Sequence, residues 1–92
     1  MKCYRVEYSE RTLKALKKMD AYTKRMIIAW IEKHLVGCEN PRRLGKGLTA
    51  NLSGQWRYRI GDYRLLCEIK DDELVILAIS VGHRRSVYEM RN

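Results

Sequence analysis

Proline occurs once in the 92 residues and cysteine three times. So little proline, beside 46% hydrophobic residues, excludes a disordered chain of low apolar content. Cys3, Cys38 and Cys67 are an odd number without paired spacing, so no disulfide framework is expected. They read as reduced thiols, and a cytoplasmic setting follows from that reading. No apolar run approaches the ~20 residues that span a bilayer, and no signal-peptide pattern opens the chain, so a membrane is not an expected partner. Repeats and low-complexity segments are missing. Gly45-Lys46-Gly47 lacks the spacing of a phosphate-binding P-loop. His34 and Cys38 stand four apart, but no second pair lies near them in sequence, so neither a metal site nor a cofactor is expected.

What the chain has is positive charge. Nineteen Lys and Arg oppose eleven Asp and Glu, a formal net charge of +8. Such a surface favours a polyanion or an acidic protein as partner. The length fits one domain over residues 1–92, with a core of modest size.

Residues 2–8 alternate as a strand does. Ser9 is a candidate N-cap for a helix that carries Leu13, Leu16 and Met19 on one side. Asp20 is a second candidate cap, and Met26, Ile27, Trp30, Ile31 and Leu35 recur at helical spacing, predicting an amphipathic helix to about Gly37. Residues 38–52 read as a loop with Arg42, Arg43 and Lys46 in it. Three strands are then predicted, over residues 55–60, 63–69 and 74–81, and residues 83–90 could form one or two helical turns. The expected fold is α+β: a helix hairpin packed on a mainly antiparallel four-stranded sheet.

Gly61-Asp62 fits a two-residue hairpin turn of type II′. That turn sets the register: Ile60 opposite Tyr63, Arg59 opposite Arg64, Tyr58 opposite Leu65, Arg57 opposite Leu66, Trp56 opposite Cys67. One face is then apolar and should take the helices; the other carries Arg57, Arg59 and Arg64. Like charges directly opposite each other are destabilising, here on the order of 1–3 kcal/mol depending on exposure. An anion bound between Arg59 and Arg64 would reverse the sign, and guanidinium groups match phosphate oxygens two by two. A solvated basic face with splayed side chains fits the same pattern. Leu74 to Ile79 is apolar on both faces, so the side away from the hairpin also needs a cover, either the tail or a partner helix.

After the last strand come Val81-Gly-His-Arg-Arg-Ser-Val-Tyr88. Arginine binds phosphate, tyrosine stacks on bases, and histidine moves protons near neutral pH. Taken singly, His83 fits an ordinary surface residue and Tyr88 a packing residue. Two stretches, Leu52-Ser-Gly-Gln-Trp-Arg-Tyr-Arg-Ile-Gly-Asp-Tyr-Arg-Leu-Leu66 and Ile79-Ser-Val-Gly-His-Arg-Arg-Ser-Val-Tyr88, together resemble the RelE/ParE toxin superfamily, and within it the RelE branch. The resemblance covers nearly the whole chain.

The resemblance implies a RelE-like toxin fold, a cognate RelB-like antitoxin, and cleavage of mRNA in the ribosomal A site beside 16S rRNA. It also implies in-line attack of a ribose 2′-OH on the adjacent phosphorus without a metal. By position Arg57, Arg59, Arg64, Arg84 and Tyr88 match its functional residues. Arg57 and Arg59 stand where lysines are better known, and the segment between Arg84 and Tyr88 is shorter. Arginine is a poor general base, so Arg57 and Arg59 are cast as stabilisers of the phosphorane. His83 is then the nearest proton-transfer group, its pKa expected to fall beside Arg84 and Arg85. Arg42, Arg43, Lys46 and Arg85 are the expected RNA-binding residues. The lysines and arginine of the helices, Lys14, Lys17, Lys18, Lys24 and Arg25, fit solvated faces or ribosomal RNA contacts. The competing expectation is a ParE-type toxin of the same fold, which inhibits DNA gyrase by binding it.

Overall fold

In the computed structural model, which describes residues 3–47 and 54–83, the chain runs β1 (Arg5–Tyr8), α1 (Glu10–Lys18), α2 (Ala21–His34), β2 (Lys46–Gly47), β3 (Gln55–Ile60), β4 (Tyr63–Lys70) and β5 (Val75–His83). Ser9 and Asp20 are the two N-caps: the side chain of each accepts a hydrogen bond from a backbone N–H three residues on. The sheet order is β1-β5-β4-β3-β2, with all neighbours antiparallel except β1 and β5. Five strands form where four are predicted, because Lys46 and Gly47 lie along β3 as a two-residue edge. Glycine permits this approach: a Cβ on Gly47 would come within 2.9 Å of the Trp56 ring.

The β3–β4 register is the one the Gly61-Asp62 turn predicts, pair for pair from Ile60↔Tyr63 to Trp56↔Cys67. Gly61 has φ +59°, as the first central position of a type II′ turn requires. Tyr58, Ile60, Leu65, Cys67, Ile76, Ala78 and Val81 share the helix-facing side and form one buried cluster with Leu16, Ile27, Ile31 and Leu35. Burial pushes the Cys67 thiol and the Tyr58 phenol upward in pKa. In α1 the inward residues are Thr12 and Leu16, while Leu13, expected on the same side as Leu16, is 48% exposed.

β5 contains a bulge. Leu66 pairs with Ser80 but Cys67 pairs with Ala78, leaving Ile79 as an extra residue. A bulge resets alternation by one. Val75 and Leu77 therefore share a face with Ser80 and Gly82, while Ile76 and Ala78 share the other with Val81 and His83. The bulge is held from α1. Ser9 N–H donates to the Ala78 carbonyl (3.0 Å), Ser9 Oγ to the Ile79 carbonyl (2.8 Å), and Thr12 Oγ1 again to Ala78 (2.8 Å). Among the described residues no helix is long and apolar enough to cross a membrane.

Candidate nucleic-acid interface

The face of the sheet turned away from the helices gathers three arginines and a lysine toward one end, with Arg5 and Lys70 at the other. Arg59 on β3 stands opposite Arg64 on β4, which stands opposite Gly82 on β5. The next row is Lys46, Arg57, Leu66 and Ser80, across β2 to β5. Lys46, Arg57, Arg59 and Arg64 thus come together on one surface, as alternation around a fixed turn dictates. Arg59 and Lys46 are exposed and Arg57 is half-buried. Arg64 is only 6% exposed, and its Nη1 is buried without a hydrogen-bond partner. A buried, unpaired guanidinium N–H is costly, and its natural complement is an anionic oxygen. Gly82 adds no side chain to the row, so the space beside Arg64 on that strand is free of one.

His83 takes the other face. It pairs with Tyr63 and meets its ring edge-on, with centroids 5.6 Å apart. Unbroken alternation from Val75 would have set His83 beside the arginines; the extra residue at Ile79 turns it over. The three arginines and His83 are therefore not brought together by the sheet. Arg84, Arg85 and Tyr88 lie outside the described residues, as do the expected helical turns of the tail.

The loop arginines have other surroundings. The two terminal nitrogens of the Arg42 guanidinium, Nη1 and Nη2, donate to Asp71 at 3.0 and 2.9 Å, and the group lies 5.9 Å from the Trp56 ring centroid. Tyr4 donates its hydroxyl to the same carboxylate at 2.6 Å, which holds the tyrosine pKa above its ordinary value. Arg42, expected to bind RNA, is thus occupied in tying the loop to the β4–β5 turn. Arg43 lines a cleft at the C-terminal end of α2 with Lys33, His34 and Cys38, apart from the arginine row. His34 and Cys38 do share that cleft, but among the described residues no group of three or more His, Cys, Asp or Glu side chains could hold a metal ion.

Ser80 and Gly82 were not visible as members of this surface from sequence. Their place depends on the bulge, and nothing in Ala78-Ile79-Ser80-Val81 marks one.

Known proteins resemble this chain in sequence and in architecture. Residues 6–88 match the family model described as the ParE toxin of the type II toxin–antitoxin system parDE. A 48-residue stretch is 40% identical to Toxin RelG of Mycobacterium tuberculosis, covering 52% of this chain and 55% of that protein, so about half of that relative is matched. The fold superposes on the toxin–antitoxin complex RelBE2 from Mycobacterium tuberculosis with a TM-score of 0.81, at 28% identity over 91% of this chain and 94% of the other. The isolated Escherichia coli RelE toxin shares the fold at a TM-score of 0.69, with 22% identity over 95% of this chain and 98% of that one. Two helices packed on a mixed sheet are thus an architecture this chain shares with small toxins from type II toxin–antitoxin systems. The chain belongs to the ParE toxin family of those systems, within the RelE/ParE superfamily.

Proposed function

We propose that this toxin is a ribosome-dependent mRNA endonuclease of the RelE type, silenced by a RelB-like antitoxin. The observation that carries the reading is the Arg59–Arg64 pair. Two cations stand in register, and the buried one leaves Nη1 unpartnered. An RNA phosphodiester supplies the missing charge and the missing acceptor at once. In the reaction the 2′-oxygen attacks the neighbouring phosphorus in line and loses its proton. The 5′-oxygen leaves and gains one, which yields a 2′,3′-cyclic phosphate and a 5′-hydroxyl. Charge builds on the equatorial oxygens, and fixed guanidinium groups are suited to hold it. Arg57, Arg59 and Arg64 take that role, Lys46 holds an adjoining phosphate, and Arg84, Arg85 and Tyr88 are assigned to the same substrate by resemblance. Since the sheet turns His83 away from the arginines, Tyr88 or ribosomal groups carry the proton transfers in this reading. The matches to RelG and to the RelBE2 complex support it.

Two observations favour the second reading, a gyrase inhibitor. The family model that matches is described by ParE, and the arginine face among the described residues holds no group that titrates near pH 7. Inducing the protein in a bacterial host and mapping mRNA 5′ ends separates the two. Cuts within codons that depend on translation are expected. Intact mRNA with arrested gyrase would overturn the endonuclease reading in favour of the other.

A further inference from the structure

Ser80 is the one hydroxyl that the sheet register sets in the two rows of the basic face. It is 95% removed from solvent, being 5% exposed. Its register partner is Leu66, and Arg64 is the diagonal neighbour of the pair, two residues along β4. Diagonal neighbours across antiparallel strands are within reach of a long side chain. Ser80 is on this face only because Ile79 bulges out of the ladder; without the bulge it would point into the core and Val81 would face the arginines. The bulge is not left loose. Three hydrogen bonds from Ser9 and Thr12 fix the carbonyls of Ala78 and Ile79. Bulges at sheet sites commonly re-aim a side chain, and here the side chain delivered is a small donor beside a buried guanidinium whose Nη1 has no partner.

We propose that Ser80 is a phosphate ligand: its hydroxyl donates to a non-bridging oxygen of the phosphodiester that Arg59 and Arg64 hold. Ser9 and Thr12 are positioning residues that keep the bulge, and hence the hydroxyl, in place. The proposal rests on reading the arginine face as a phosphate site. It adds a neutral donor on β5, on the side of Arg64 away from Arg59, so the phosphate is oriented as well as attracted. Hydroxyl donation to a charged acceptor has the strength of a charge-assisted bond.

The test uses the full-length toxin. Affinity for inorganic phosphate is measured by NMR titration at constant ionic strength for wild type, Ser80→Ala, Ser80→Thr and Arg64→Gln, alongside single-turnover cleavage on programmed ribosomes. Ser80→Ala should weaken phosphate binding about tenfold and slow cleavage by a similar factor at saturating ribosome. Ser80→Thr, which keeps the hydroxyl, should restore both. Phosphate binding by Ser80→Ala equal to wild type would overturn the proposal, and so would a wild type that binds no phosphate. Loss of phosphate affinity in Ser80→Ala, with no cleavage by any variant or by wild type, would leave the phosphate seat standing and remove the endonuclease reading instead.

Discussion

Arg64 and Arg59 are the residues whose placement costs the fold something. They face each other across β3 and β4, one buried and one exposed. Replacing either by glutamine removes a cross-strand repulsion, so Arg59→Gln and Arg64→Gln should melt at the wild-type temperature or a few degrees above it while losing toxicity on induction. Thermal melts and growth assays decide this; a large drop in melting temperature would mean the guanidinium groups brace the sheet. Arg42 differs in kind. Its guanidinium is held by the Asp71 carboxylate, so a loop arginine that composition offers to RNA serves the joint between loop and turn. Sequence could not tell these arginines apart. Alternation fixes the face of a strand residue, whereas a loop residue's partner, here 29 positions away, leaves no local trace.

At the scale of elements, what was legible is what local rules set. Both N-caps, the helical faces of α2 and the β3–β4 register follow from cap residues, periodicity and a two-residue turn. The bulge and β2 do not, because each depends on a distant surface: α1 for the bulge, Trp56 for Gly47. The α1 contact gives a direct check. Thr12 is fully buried and donates to the Ala78 carbonyl. Thr12→Val keeps the shape and removes the donor, and should destabilise the fold by about 1–3 kcal/mol in urea titrations, with Thr12→Ser recovering part of the loss. The α2 cap offers a second check, in pH. The hydroxyl and backbone N–H of Thr23 hold the Asp20 carboxyl below the usual carboxylate range. Its contribution to stability is therefore complete above its unfolded-state pKa near ~4, and it is lost as pH falls through the lower folded value. Asp20→Asn still caps the helix but cannot titrate. The pH dependence of melting below ~4 should be shallower in that variant than in wild type.

For the molecule as a whole, the +8 charge and the one-sided arginine patch govern encounters. An acidic antitoxin should associate quickly at low salt and more slowly as salt rises, with most of the change in the association rate. Stopped-flow mixing across a salt series checks this; a rate constant indifferent to salt would remove the electrostatic part of the account. The parallel pairing of β1 with β5 has a consequence in time. Arg5 pairs with Val75, so the first strand waits for the last, and contacts so distant along the chain are slow to form. Gly82 and Ser80 arrive with that same last strand. A partly synthesised chain therefore holds the arginines of β3 and β4 without the strand that completes their surroundings. If Ser80 seats a phosphate as proposed, the basic face is incomplete until nearly all of β5 has been synthesised, and a nascent chain holds the cations before it holds the site.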